Sequence, residues 1–251
     1  MCVGVHETTH DHDRDRDRDQ DRDQAMTMLR HPDLGDVRYE LHEVSDDPGE
    51  QVAQVIGLMR RYAVEDAQSP VVRGDLAKAM AAGPRLDTVS AIFYYVQSRI
   101  RFTKDEQTSS PLRTHTPIPI VEALIRPVDM AGMCNGGGCR RVGDCDDYAM
   151  YGAALLLAAG IPCAYVTVAA DPGDPSRFSH VYVAAYPGGD RIALDTSHGA
   201  YPGWETSAVY ERREWPLAGG LLHGALPILV VAALTWLAYK YRWWSWRPSW
   251  A

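Results

Sequence analysis

The spacing of apolar residues predicts a mixed helix and strand domain in the middle of the chain. Three stretches have apolar positions at helical intervals and are predicted as helices: residues 48–64, 70–82 and 87–99. Residues 35–45 instead alternate apolar and polar side chains, which predicts a short edge strand. The first half of the domain is therefore expected to be mainly helical.

The second half of the domain has the pattern of a buried helix followed by strands. Closely spaced apolar residues over 146–159 predict the helix, which ends at Gly160 and Pro162. Strands are predicted at residues 164–169, 180–186 and 191–194, with a tight turn at residues 187–190. An antiparallel sheet packed against the helix follows from this order, so the predicted fold class is α+β.

A long irregular segment, residues 104–143, separates the two halves. It contains several prolines and the run Cys-Asn-Gly-Gly-Gly-Cys at Cys134 to Cys139. Within it, residues 120–125 are predicted to form a helical turn. Loops of this length inside a compact domain are usually functional or mobile.

Both ends of the chain have unusual composition. Residues 11–24 alternate Asp with Arg, His or Gln, so residues 1–33 are predicted to be a disordered tail before a globular domain at 34–214. Residues 217–239 contain no Asp, Glu, Lys or Arg and are long enough to cross a hydrocarbon layer of roughly 30 Å. Basic and aromatic residues in 240–251 are typical of an interfacial anchor. A C-terminal transmembrane helix is therefore predicted.

Charge and cysteine content narrow the function classes. The net charge is −8 and no basic patch precedes the C-terminus, which argues against a nucleic-acid-binding protein. The five cysteines are an odd number, and the N-terminus lacks the apolar core of a signal peptide. Reduced thiols and a cytoplasmic catalytic domain are expected. Basic residues on both sides of the predicted span leave its orientation open.

Candidate chemistry centres on Cys145, in the run Gly-Asp-Cys-Asp-Asp-Tyr-Ala of residues 143–149. Cys145 precedes the predicted buried helix, whose unpaired N–H groups and dipole favour a thiolate. His180 begins a later predicted strand, and Asp195 follows the next one. A nucleophile, a base and a carboxylate that orients the base are the three parts of a Cys-His-Asp triad.

The three residues have specific predicted roles. His180 would pair with the thiolate and protonate the leaving group, and Asp195 would hold the imidazole tautomer. The backbone N–H of Cys145 would donate to the oxyanion. Each residue alone also fits a structural role, as a buried cysteine, a capped histidine or a turn-forming aspartate. Their joint order favours catalysis.

The motifs resemble the transglutaminase-like superfamily in its compact bacterial or phage form. The resemblance runs from about residue 48 to residue 204 and is most specific in residues 143–149, 159–162, 179–183 and 194–196. It implies a papain-like fold and acyl transfer through a thioester, with Cys145 as nucleophile, His180 as base and Asp195 as orienting group. By analogy, peptide or protein substrates and hydrolysis rather than cross-linking are expected, without a cofactor or metal.

The chain departs from the family pattern in two places. Some members use a Trp upstream of the cysteine as a second oxyanion donor, whereas every Trp here lies at Trp204 or later. The insertion with Cys134 and Cys139 also has no counterpart in the usual pattern, and no calcium-site pattern is present. The second oxyanion donor is therefore left unassigned.

Other interpretations remain open at this stage. Cys134, Cys139 and Cys145 could bind zinc with a nitrogen from His180 or His198, and Cys134 and Cys139 could form a disulfide in an oxidising compartment. The protein could also be a catalytically silent, membrane-tethered binding module, or a scaffold whose Asp/Arg tail recruits partners. The substrate and the oligomeric state are not predicted.

Overall fold

The computed structural model describes residues 25–31, 35–83, 85–103, 121–133, 141–207 and 209–217 of the 251-residue chain. The helices are α1 (Pro48–Asp66), α2 (Pro70–Ala82), α3 (Thr88–Arg99), α4 (Pro127–Gly132) and α5 (Cys145–Ala158). The strands are β1 (Ala25–His31), β2 (Gly35–Glu43), β3 (Ile100–Phe102), β4 (Val121–Leu124), β5 (Arg141–Gly143), β6 (Cys163–Ala169), β7 (His180–Ala185), β8 (Ile192–Leu194) and β9 (Glu211–Pro216).

The three N-terminal helices begin where side chains satisfy the free backbone N–H groups. Asp47, Ser69 and Asp87 each cap one of these helices by accepting hydrogen bonds from the first turn. Proline follows the cap of α1 and of α2, which suits its lack of an N–H group. These caps are local signals, and the predicted helices are confirmed with small differences at their ends.

A three-stranded antiparallel sheet has the order β1-β2-β4. Its central strand, β2, was predicted as an edge strand, and this prediction is wrong because β1 and β4 pair along its two sides. Strand β1 also lies inside residues 1–33, which were predicted to be disordered. The Asp-rich alternation ends at Gln24, and the sequence from Ala25 onward is apolar enough to pair. Residues 1–24 lie outside the described part of the chain.

Strand β4 replaces the helical turn predicted at residues 120–125. Its backbone pairs with β2, with Leu124 opposite Glu40 and Val121 opposite Glu43. A short apolar run does not by itself distinguish a helical turn from a strand. The pairing with a strand about 80 residues earlier decides the conformation.

The second sheet is antiparallel and has the order β8-β7-β6-β9. Strands β6, β7 and β8 confirm the three predicted strands. Strand β9 was not predicted, since its sequence Glu-Arg-Arg-Glu-Trp-Pro is mostly charged. It covers the edge of β6 and extends past residue 214, the predicted end of the domain. The predicted turn at residues 187–190 contains a short 3₁₀ helix, where Gly188 and Gly189 have φ values of 65° and 102°.

Helix α5 forms the centre of the molecule. It contacts β6 and β7 on one side and helices α1 to α4 on others. Four successive residues in its second half, Ala153 to Leu156, are completely buried. A helix that is apolar around its whole circumference belongs in a core, so its first residue, Cys145, is held in a fixed position beside β7.

Two further features complete the fold. Strands β3 and β5 pair in parallel, which holds the chain just before Cys145. Among the described residues, no helix is long and apolar enough to cross a membrane. Leu217 is buried in the core, and the rest of the predicted span, with residues 240–251, lies outside the described part. The membrane anchor therefore stays a prediction.

Candidate active site

Cys145 lies at the wall of a cavity of about 540 Å³. The residue is half-buried and is the first residue of α5. His180 and Val181 from β7 line the same cavity, as does Glu122 from β4. Apolar side chains of α1 form a further part of the wall: Val52, Val55, Ile56 and Met59. The site therefore lies where α1, α5 and the two antiparallel sheets meet.

The thiol of Cys145 is neutral at neutral pH in this structure. Burial, together with the charges of Glu122 and Asp147, raises its pKa to about 11, although a hydrogen bond from the Val181 backbone lowers it. The sequence predicted that the helix N-terminus would favour the thiolate, but burial has the larger effect. A base is therefore needed to generate the nucleophile.

Cys145 and His180 are brought to the same place. The backbone N–H of Val181 donates to the Cys145 sulfur, and Val181 directly follows His180 in β7. The sulfur receives this bond rather than one from the imidazole. Since hydrogen bonds of catalytic groups are often long before substrate binds, this arrangement is compatible with proton transfer between the two side chains.

His180 and Asp195 form a close pair. His180 Nε2 lies 2.8 Å from Asp195 Oδ2, and the Asp195 side chain is completely buried. Burial alone would raise the pKa of Asp195, but hydrogen bonds from His180, Ser197 and the His198 backbone outweigh it, so the pKa lies below its usual value. An ionised Asp195 requires a proton on Nε2. The other ring nitrogen, Nδ1, is then the one that can accept the thiol proton.

Gly143 and Asp147 shape the turn that leads into Cys145. Asp147 Oδ1 accepts from the Ile125 backbone at 2.8 Å, and Oδ2 accepts from the Asp144 backbone at 3.4 Å. The Asp147 side chain lies so close to Gly143 that a Cβ atom there would be 2.6 Å from Asp147 Cβ. Only glycine fits at residue 143, which explains two positions of the motif around Cys145.

Alanine at residue 143 is expected to destabilise the protein by about 1–3 kcal/mol, since Asp147 would have to move away from Asp144 and Ile125. Urea unfolding of Gly143→Ala measures the loss. Gly152→Ala in α5 is the matched control, because a Cβ there meets nothing within 4 Å. It is expected to be neutral or stabilising by about 0.5–1 kcal/mol. Equal stability of the two variants would contradict the proposed contact.

For two residues near the site, the sequence did not predict their position beside the triad. Glu122 hydrogen-bonds to Asp146, whose pKa is raised by burial, and lies close enough to Cys145 to act on its pKa. No local signal identifies Glu122, since it lies in the long irregular segment. His198, predicted only as a zinc ligand, contacts the ring of His180. In the sequence, the signal for a position near the triad was that His198 follows Asp195 by three residues.

The described residues contain two groups whose polar atoms are close enough to hold a cation. One group is His180, Asp195 and His198, and the other is Asp144, Asp146 and Asp147, each within 4.8 Å. Cys145 and Cys163 are free thiols. Cys134 and Cys139 lie outside the described residues, so their zinc site and their disulfide stay predictions.

The comparison with protein-family models agrees with the motifs. The model of the transglutaminase-like superfamily matches residues 74–196, which include all three predicted triad residues. A solved structure of a candidate cysteine protease from Cytophaga hutchinsonii is 20% identical, with a TM-score of 0.35. The match covers 65% of this chain and 50% of that chain, so the chain spans about half of that protein's length. No curated protein sequence matches the chain. Residues 74–196 therefore match the model of the transglutaminase-like superfamily, the family that the motifs resemble.

Proposed function

We propose that this protein is a cysteine-dependent amide hydrolase or acyltransferase that acts on peptide or protein substrates. The observation that carries the proposal is the convergence of Cys145 and the His180–Asp195 pair on one cavity. A thiol beside an imidazole that is itself held by a carboxylate is the arrangement required for nucleophilic acyl transfer. Cys145 is the proposed nucleophile, His180 the base and Asp195 the orienting group.

The first half of the proposed reaction forms a thioester. His180 Nδ1 takes the proton of the Cys145 thiol as the sulfur attacks the carbonyl carbon of the amide. The backbone N–H of Cys145 donates to the oxyanion. His180 then gives its proton to the amide nitrogen, the C–N bond breaks, and the amine leaves. Asp195 stays ionised throughout and stabilises the charged imidazole.

The second half releases the acyl group. Water or an amine attacks the thioester carbon, and His180 takes the proton of the attacking group. The C–S bond breaks and the proton returns to the sulfur, which regenerates the neutral thiol. Hydrolysis and transfer differ only in the attacking group, and hydrolysis is proposed by analogy with small family members.

The cavity supports a peptide-like substrate. Its wall combines the apolar side chains of α1 with charged groups from β4 and β9, Glu122 and Arg213. Binding sites of this composition place apolar substrate surface on one wall and orient it with a few polar groups. A Cys145 thiol that is neutral before substrate binds is consistent with the proposed acyl transfer, since the thiolate is then formed only when the base and the substrate are in place.

Labelling with a peptide-based electrophile tests the proposal. Of the two described thiols, only Cys145 is expected to carry an adduct, and mass analysis of proteolytic fragments should locate the adduct there. Cys163 is the internal control, because it is also a free thiol but is buried in β6. Labelling of Cys145→Ala to the same extent as the wild type would contradict the assignment and favour a silent binding module.

The pH dependence of labelling tests the role of His180. Without the imidazole, the raised pKa of the thiol governs the labelling rate, so in His180→Ala the rate should rise with pH toward an inflection near the pKa of about 11. The wild type should label at lower pH, since His180 accepts the proton there. Identical pH profiles of the two proteins would show that His180 does not act on Cys145.

A further inference from the structure

A second imidazole lies against the proposed base. The ring centroids of His198 and His180 are 4.7 Å apart with an interplanar angle of 79°, which is an edge-to-face contact. His198 also contacts Phe102 of β3 in the same geometry, at 5.2 Å and 71°. About half of the His198 side chain is exposed. The base therefore packs against a residue outside the proposed triad.

A tight turn holds His198 in this place through its backbone. The His198 N–H donates to Asp195 Oδ1 at 3.0 Å, the same carboxylate that accepts from His180. The Gly199 N–H donates to the Asp195 carbonyl at 2.7 Å, and a Cβ at Gly199 would lie 2.5 Å from that oxygen. Gln97 of α3 donates to the Gly199 carbonyl at 2.6 Å. Through this hydrogen bond, helix α3 holds the turn in place.

The His198 side chain is also restrained. Its Nδ1 lies 2.9 Å from the hydroxyl of Ser197, which lies 3.0 Å from Asp195 Oδ1. Burial and the neighbouring His180 lower the pKa of His198. A neutral His198 can stay against the base when His180 becomes charged, because two positive imidazoles would repel each other.

We propose that His198 is a positioning residue for His180, and that its ring keeps the imidazole in the orientation in which Nε2 faces Asp195. Hydrogen bonding to one carboxylate oxygen leaves an imidazole free to swing about that bond, whereas a ring packed against it restricts the swing. The catalytic consequence rests on the proposed function, but the restraint of His180 does not.

The kinetic test uses two substitutions of His198 and one control. His198→Ala removes the ring and is expected to lower kcat by about 10- to 100-fold, the size expected for a misplaced catalytic group. KM should change by less than about 2-fold, since His198 does not line the cavity. His198→Phe keeps a flat ring and should restore most of kcat. Tyr201→Ala, an exposed ring on the same loop, should match the wild type.

A spectroscopic test is independent of activity. The proton on His180 Nε2, hydrogen-bonded to Asp195, should give a downfield NMR signal that is protected from exchange with solvent in the wild type and in His198→Phe. In His198→Ala the signal should broaden or vanish while thermal unfolding shows an intact fold.

The outcomes separate the two proposals. An unchanged signal and an unchanged kcat in His198→Ala would overturn the positioning role, as would equal losses in His198→Phe and His198→Ala, because ring packing would then not be the cause. If the wild type cleaves no amide, the proposed function fails, and the proton signal alone still decides whether His198 restrains His180.

Discussion

Replacement of Cys145 by alanine is expected to abolish amide cleavage, with kcat/KM falling by more than about 10³-fold, because no other thiol among the described residues lines the cavity. His180→Ala should cause a similar loss, since the neutral thiol then has no base. Asp195→Ala should leave a larger residual rate, because the imidazole remains and loses only its orientation and charge stabilisation. The expected loss of kcat/KM is therefore largest for Cys145→Ala and His180→Ala, and smaller for Asp195→Ala.

Initial rates on a peptide amide measure these losses. Cys163→Ala is the matched control, because Cys163 is a free thiol 3% exposed in β6 and does not line the cavity. Thermal unfolding of each variant separates lost chemistry from lost folding. A Cys145→Ala protein that retains turnover, or a Cys163→Ala protein that loses it while folded, would reverse the assignment of the nucleophile.

Substitution of Asp75 by alanine is expected to destabilise the fold by about 3–5 kcal/mol, because it leaves the positive charge of Arg141 buried without its partner. Both side chains are completely buried, and they form an ion pair. The Tyr151 hydroxyl donates to Asp75 Oδ2 at 2.5 Å and accepts from Arg141 at 2.8 Å. The pair joins α2 to β5, the strand that leads to Cys145, so weaker labelling of Cys145 should accompany the loss.

The free energy of unfolding at acidic pH should also depend on the Asp75–Arg141 pair. Burial would raise the pKa of Asp75, but hydrogen bonds from Lys78 and Tyr151 and the charge of Arg141 outweigh it and lower the pKa. A carboxyl with a lowered folded pKa stabilises the fold above its unfolded pKa of about 4. That contribution is lost as pH falls through the folded pKa. The wild type should therefore lose stability with acid more steeply than Asp75→Ala.

Urea unfolding near neutral pH gives the free energies. Asp190→Ala, which removes an exposed carboxylate, is the control and should stay within about 0.5 kcal/mol of the wild type. The double variant Asp75→Leu, Arg141→Met should recover most of the loss, because an apolar pair avoids the cost of an unpaired buried charge. A loss below about 1 kcal/mol in Asp75→Ala would contradict the predicted role of the pair.

The sequence predicted the elements whose signals are local. Helix caps such as Asp47 and Asp87 and the apolar run of α5 depend on residues within a few positions of each other, and the corresponding helices α1, α2, α3 and α5 are confirmed. Strands β1, β4 and β9 were missed or misassigned, because their conformation depends on pairing with distant strands. The sequence of β9 is too charged and that of β4 too short to predict a strand, and β1 directly follows the Asp-rich segment.

The chemistry of the candidate site also depends partly on local sequence and partly on tertiary structure. The sequence by itself determined the resemblance to the transglutaminase-like superfamily and the candidate residues Cys145, His180 and Asp195, since residue type and order along the chain are sufficient for a motif. Only the tertiary structure decided that the Cys145 thiol is neutral at rest and that Glu122 and His198 lie beside the site. Burial and electrostatic interaction depend on distances between segments far apart in the chain, and no local pattern of residues contains those distances.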